Sequence, residues 1–289
     1  MSRPRAVGEA GAALEFAATL SSVDDTTLAR LAHQSMIDAW IAVGGQVAGA
    51  HVERAGGVAV ICTGLPLRLF NQVLVADPMA TDDAVIAAVA AARKRTDRFF
   101  VNLRVGTDDR LVPLMDRLGL EADQDELSTP GMVMHPLSAT VSAKTPSAID
   151  LRRITSEAGI RDHVTVAASS FGIPEEWLAA LVTKGLLRQP GVTLLVGYRD
   201  SAPVTTGLGI RTGRSIGIYN IATLESARGH GFGAAMTMRL VADGFADGCD
   251  VAVLQSSPLA RPLYERLGFR RLIQYLGFAP PDRMATTRV

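Results

Sequence analysis

Apolar residues recur every three or four positions over 26–42 and 82–94, which predicts two helices. Unbroken apolar runs near 58–62, 70–75 and 99–103 predict strands around them. A second helical region covers 156–187, with a break at FGIPEEW, where glycine and proline interrupt the period. Strands are expected next at 192–198, 204–210 and 215–224. Ala234, Met238, Val241 and Phe245 then fall at helical spacing, with Gly248 as the stop. The run VAVL at 251–254 reads as a strand, and RPLYERLGF at 261–269 as a helix turning into a further strand. Helices alternating with strands predict an α/β protein.

The chain aligns with itself at one offset of 149 residues. Phe70-Asn71 falls on Tyr219-Asn220, and PLMDRLGL falls on PLYERLGF with five of eight positions identical. Two matches at one offset predict a duplicated domain. Between the copies, SATVSAKTPS at 138–147 is polar and broken by Pro146, the composition of an exposed connection. The expected organisation is a first domain over 1–138, a linker at 139–147 and a second domain over 148–289.

The densest chemistry lies in RGHGFGA, Arg228 to Ala234. Gly229, Gly231 and Gly233 lack Cβ, so the chain can turn sharply there and an anion can approach the backbone. Because a helix opens immediately afterwards, its unpaired N–H groups and the positive end of its dipole face the same place. That combination suits a pyrophosphate, and Arg228 adds a full charge. The dinucleotide fingerprint G-x-G-x-x-A also fits Gly229, Gly231 and Ala234. We reject it on order, since the acidic residue should end the strand after the helix and Asp250 begins that strand instead.

Arg228, Gly231 and Gly233 match the phosphate loop Arg/Gln-x-x-Gly-x-Gly/Ala of the GNAT acyl-CoA-dependent N-acyltransferases, which the chain resembles over about 149–278. SIGIYNIATLESA at 215–227 is similar to that family's fourth strand and turn, and RPLYERLGF to its last helix. The resemblance implies two tandem GNAT-like domains, each with a central, mostly antiparallel sheet flanked by helices. It also implies acetyl-CoA as co-substrate and an amine-bearing small molecule or peptide as acceptor, with direct transfer in a ternary complex. Arg228, Gly229, His230, Gly231, Phe232, Gly233 and Ala234 would hold the pyrophosphate. Backbone groups of Ile221, Ala222 and Thr223 would pair with the pantetheine, and an N–H near Ala222 or Thr223 would face the thioester oxygen. Tyr264 stands where the family commonly carries a catalytic tyrosine, here a general acid toward the departing thiolate. Ser257 lies where an asparagine often contacts the pantetheine arm.

The resemblance leaves the general base open, because YNIATL offers no carboxylate or histidine. Asn220 holding a water, Glu175 or Glu176 from the preceding segment, and an amine that binds already neutral all remain. Glu225 reads as a solvated turn residue, and Gln255 and Ser256 as possible substitutes for Ser257. Trp177 and Phe171 are candidates for an apolar wall of the amine pocket, although core packing serves them equally well. In the first copy, residues 79–84 replace the glycine loop with MATDDA, and Met115 replaces Tyr264. That copy is therefore expected to keep the fold without the site, packing on the active copy. A coenzyme-binding regulatory module without turnover is the alternative function.

Composition narrows the remaining classes. Lys plus Arg total 29 and Asp plus Glu 29, so no basic excess recommends nucleic acid or an anionic membrane as a partner. No apolar run reaches bilayer length. Arg3, Arg5, Glu9 and Glu15 interrupt any signal-peptide core, so a cytoplasmic protein is expected. Cys62 and Cys249 are the only cysteines, each beside a strand, and are expected to be buried and reduced. No His, Cys and carboxylate cluster has metal-ligand spacing. Monomer and homodimer both suit a tandem.

Overall fold

The computed structural model describes residues 23–123, 129–137 and 146–281. Most of the expected linker, and the charged residues Arg3, Arg5, Glu9 and Glu15, lie outside the described residues. Helix α1 (Asp25–Gly44) starts at Asp24, whose carboxylate accepts the Thr27 N–H at 2.8 Å. A hairpin follows, β1 (His51–Ala55) and β2 (Val58–Cys62), turning through Gly56 and Gly57, both at positive φ. Next come β3 (Asn71–Val75), α2 (Asp82–Arg93), β4 (Phe100–Arg104), α3 (Val112–Arg117), the short β5 (Glu121–Ala122) and β6 (Thr129–Met134). After the break in the described chain are β7 (Asp150–Arg153), α4 (Glu157–Phe171), α5 (Glu175–Leu181) and α6 (Lys184–Leu187). They lead into β8 (Val192–Arg199), β9 (Ala202–Thr212), β10 (Ser215–Thr223), α7 (Phe232–Ala246), β11 (Val251–Gln255), α8 (Arg261–Arg266) and β12 (Arg270–Ala279).

All the described strands join one sheet, in the order β1-β2-β3-β4-β12-β6-β11-β10-β9-β8-β7, with β5 paired to β12. The pairs β3–β4 and β10–β11 are parallel and the remaining ones antiparallel. This corrects the expectation of a separate sheet on each side of the linker. Strand β6 leaves the early strands to pair with β11, while β12 crosses the other way to pair with β4. The exchanged strands pair with each other at the centre, so the order reads similarly from either end.

Side chains alternate across the sheet, and each face is covered by helices. On one face, α2 and α3 bury Val85, Val89 and Met115 against Val60 and Val73, while α7 and α8 bury Met236, Leu240 and Tyr264 against Ile216 and Ile218. On the other, α1 lays Leu28, Met36 and Ile37 over Ile61, Leu74 and Val253, and α4 to α6 cover Leu194, Val196 and Leu208. At the centre His33 bridges α1, β3 and β12, with Nε2 2.8 Å from the Val75 carbonyl and Nδ1 3.1 Å from the Tyr275 hydroxyl. Burial, reinforced by the nearby Arg104 guanidinium, lowers its pKa to about 4, so the ring is neutral. Helix α7 departs from its predicted stripe, because Phe245 is exposed and the inward face instead includes Phe232, Met236 and Leu240.

Candidate active site

The glycine loop takes the form the residues demand. Gly229 and Gly231 both sit at positive φ, and Gly231 is the residue from which α7 begins. An N-cap without a side chain cannot close the helix. Among the described residues, no acceptor takes the N–H groups of Phe232, Gly233 or Ala234. The Arg228 guanidinium donates to the Thr223 carbonyl at 3.3 Å and pairs with no carboxylate among the described residues. Phe232 points into the core among Ile149, Val204 and Ala227, which pins the loop while leaving its own N–H outward. His230 folds back, its Nδ1 2.8 Å from the Arg228 carbonyl and its ring stacked on Phe232.

Beside this loop the sheet opens. Strand β10 pairs with β11 over Ser215, Ile216 and Gly217, and among the described residues no pairing between them continues beyond Gly217 and Val253. Residues 218–223 therefore run on with one edge free. The other edge remains on β9, interrupted by a bulge between Tyr219 and Ala222 that puts Asn220 at φ 50°. Leu224 N–H donates to the Val204 carbonyl at 3.0 Å, and alternation along the strand then turns the Thr223 N–H away from β9. The Ala222 carbonyl is taken by the Thr205 hydroxyl at 2.7 Å, which also meets Thr223 Oγ1 at 2.9 Å. Ile221 and the Thr223 N–H thus face the free edge, the Thr223 carbonyl accepting from Arg228, and Ala222 is held on the β9 side.

Helix α8 abuts the start of α7: a Cβ on Gly233 would lie 3.9 Å from Leu263 Cδ2. On α8, Tyr264 is buried and meets Phe269 edge-on at 5.9 Å. Burial raises its pKa to about 12, so at neutral pH the phenol keeps its proton. Ser257 is exposed, and its Oγ accepts the Ala260 N–H at 3.3 Å, capping a turn before α8 opens with Pro262 in its first turn. Ser256 is buried and donates to the Ser257 carbonyl, while Gln255 ends β11.

Across the sheet from α7 lies a cavity of about 80 Å³. Leu178 and Leu181 of α5, Leu208 of β9, and Tyr219 and Asn220 of β10 form one side. Ala39, Trp40 and Val43 of α1, with Phe70, close the other. Among the described residues, no charged side chain lines it. The Tyr219 hydroxyl is held toward the Ser35 carbonyl at 3.5 Å, and burial raises its pKa. The Asn220 amide makes no hydrogen bond among the described residues. Glu175, Glu176 and Glu225 are exposed and outside this lining, Trp177 packs on the neighbouring core, and Phe171 is exposed. The α1 and Phe70 contributions went unseen in the sequence because they come from the distant first part of the chain.

The region of the first part that the 149-residue offset lays over the glycine loop is a capped helix start. Helix α2 begins at Thr81, whose hydroxyl accepts the Ala84 N–H at 3.2 Å, and its first turn carries Asp82 and Asp83. Asp82 pairs with Arg110 and Arg117. Residues 75–81 link the parallel pairing of β3 to that helix, where residues 218–231 make the same connection before α7, so the free-edged segment has no counterpart. The 149-residue offset holds for α3 and α8, with Met115 where Tyr264 stands. It is not kept by the strands: Asn71 begins β3, whereas Asn220 lies well inside β10. Asn71 is a buried anchor, donating to the carbonyls of Leu65, Leu67 and Arg98 and accepting from Gly64.

Cys62 and Cys249 are buried free thiols, both pushed up to about 11 by burial, which keeps them unreactive. Asp250 precedes β11 and pairs with Arg214, at the end of the strand that excludes a ribose-binding role. Among the described residues no cluster of three metal-ligating side chains occurs, and no helix is long and apolar enough to cross a membrane.

An open helix start beside a splayed parallel strand pair defines a class, and comparison with known proteins agrees with it. Residues 162–269 match the model of the acetyltransferase (GNAT) family, and the described chain has a GNAT-like mixed α/β fold, an open sheet flanked by helices. Among individual proteins, a glucosamine 6-phosphate N-acetyltransferase of Trypanosoma brucei brucei is 36% identical over 93 residues, 32% of this chain and 61% of that protein. The chain thus spans under two thirds of the curated relative it matches. A GCN5-related N-acetyltransferase from Kribbella flavida superposes with a TM-score of 0.63 at 18% identity, over 84% of this chain and 95% of that one. A tandem GNAT protein from the clavulanic acid biosynthesis pathway gives 0.55 at 12% identity, over 85% and 93%.

Proposed function

We propose that this protein is an acyl-CoA-dependent N-acetyltransferase, passing an acetyl group from acetyl-CoA to a primary amine directly in a ternary complex. Residues 148–289 carry the site, and 1–138 are a copy that has lost its own. The observation that carries the reading is the uncapped start of α7, where the amides of Phe232, Gly233 and Ala234 stand beside Arg228, which has no carboxylate partner among the described residues. The capped, acidic start of α2, which the 149-residue offset lays over this loop, supports the reading by contrast. Likeness to a tandem GNAT protein supports the duplicated arrangement.

Acetyl-CoA supplies the activated acyl thioester. Arg228, Gly229, Gly231, Gly233 and Ala234 neutralise and orient its pyrophosphate, with the N–H groups of His230 and Phe232 in the same loop. Ile221 and Thr223 offer the free edge of β10 to the pantetheine, and Ser257 borders that arm. The Thr223 N–H, rather than that of Ala222, is the donor facing the opening of the sheet, where loss of a thioester-oxygen donor costs on the order of 3 kcal/mol of barrier. Tyr264 Oη keeps its proton and delivers it to the departing sulfur. Asn220 holds the amine side of the site, its amide free to order the water that carries the amine's proton away.

Calorimetry with acetyl-CoA, followed by a thiol-release assay over a panel of primary amines, tests this reading. Saturable binding and amine-dependent release are expected. Absence of binding overturns it, and binding without release for every amine replaces the enzyme with a coenzyme-binding module.

A further inference from the structure

We propose that the acceptor is an amine bearing a compact, uncharged aliphatic group, which the cavity between α1, α5, β9 and β10 takes up. This inference rests on the acetyl-transfer reading and names its second substrate.

Position comes first. Leu208 points to the cavity, whereas a Cβ on the adjacent Gly207 would meet Met236 and Leu240 of α7 at 2.8 and 3.0 Å. The cavity and the phosphate loop therefore lie on opposite faces of the sheet, joined where β10 parts from β11 beyond Gly217. Asn220 edges the cavity three residues from Thr223, whose N–H faces the opening, a separation of about 10 Å along a regular strand and less across the bulge at Asn220. An amine at Asn220 stands within reach of an acyl group threaded through the opening, with its substituent in the cavity.

Chemistry comes second. The walls are Leu178, Leu181, Leu208, Val43, Trp40 and Phe70, and none can balance a charge. Tyr219 keeps its phenol neutral and engaged with Ser35, and Asn220 is the remaining polar side chain. The nearby Asp38 turns its carboxylate to Gln34 and Arg54. A sugar phosphate, the acceptor named for the trypanosomal relative, would bury a dianion here without a cation. Size comes third. At about 80 Å³ the space is roughly half of the about 150 Å³ cavity that admits benzene, which suits a branched chain better than a ring.

Steady-state thiol release with isobutylamine, benzylamine, ethanolamine and glucosamine 6-phosphate tests the proposal, with acetyl-CoA binding followed by calorimetry on the same samples. Isobutylamine is expected to exceed ethanolamine and glucosamine 6-phosphate at least tenfold in kcat/KM. Val43→Phe, which fills the space from α1, is expected to raise the isobutylamine KM at least tenfold while leaving acetyl-CoA affinity within twofold. Trp40→Leu, which enlarges it, should shift preference toward benzylamine, a gain that a merely structural role would not produce. If acetyl-CoA binds and thiol is released but glucosamine 6-phosphate is preferred, or if neither variant alters amine preference, the acceptor assignment is overturned while the activity stands. If acetyl-CoA does not bind, the activity falls and the acceptor with it.

Discussion

Gly231 and Gly233 are two residues apart in one loop, yet alanine at each should have opposite effects on stability. Gly231 sits at φ 78°, where a Cβ has room, with only Pro146 at 3.8 Å, so the cost of Gly231→Ala is conformational. A left-handed residue with a side chain costs roughly 1–2 kcal/mol. Gly233 is in the first turn of α7 without positive φ, and its added Cβ would meet Thr223, Ile221 and Leu263 at 3.7–3.9 Å, ordinary contact distances. Alanine there recovers up to about 1 kcal/mol of helix propensity. Thermal unfolding should therefore place Gly231→Ala several degrees below Gly233→Ala, with the unsubstituted protein between them. Calorimetry should show Gly231→Ala weakening acetyl-CoA about tenfold, since relaxing the strain swings the open amides, and Gly233→Ala close to unchanged. Equal melting temperatures for the two variants, or a Gly231→Ala protein that binds normally, would refute the claim that backbone conformation builds this loop.

Tyr264→Phe should lower kcat by tenfold or more while acetyl-CoA affinity stays within twofold; unchanged turnover in a steady-state assay removes the tyrosine from the chemistry. Asn71→Ala takes the donor from three part-buried carbonyls and should cost about 2 kcal/mol in urea unfolding, whereas Asn220→Ala should barely change stability and act on turnover; equal stability losses would show that the free amide of Asn220 has been misread. His33 and His163 have pKa values lowered by burial to about 4 and about 3, so the unfolded chain binds their protons first. Stability is then complete above about pH 6.5 and falls as pH drops toward 4, by about 3 kcal/mol for His33. A flat unfolding free energy between pH 6.5 and 4.5 would contradict this, and His33→Gln should flatten the slope.

The parts of the fold visible in the sequence were those whose signals are local. Helix α2 and strand β2 follow from apolar period and unbroken apolar runs, and the break after Phe171 from Gly172 and Pro174. Strands β1 and β7 were missed because HVERA and DLRR are edge strands with few apolar positions. Strand β6 was not predicted, because Pro130 and Gly131 are poor strand formers at its start. Gly131 is there because β12 comes close, with Ile273 Cβ 3.0 Å from where a Cβ would sit. The phosphate loop was legible as glycine spacing, but the parting of β10 from β11 was not, since it depends on where pairing stops. The cavity was least legible of all. Its walls come from segments more than a hundred residues apart, and only the folded sheet brings Val43 and Phe70 opposite Leu178.

The exchange of β6 and β12 binds the fate of the two parts of the chain together. Severed between 138 and 145, the first piece would hold β1 to β4 with β6 stripped of both neighbours, and the second would hold β7 to β11 with β12 equally bereft. Neither fragment could satisfy its last strand except by finding the other, so the pieces should be poor folders apart and complement one another when mixed. The first part is thus scaffolding for the second: its deletion would take β4, β5 and β6 from β12 and β6 from β11, and should unravel the half that remains.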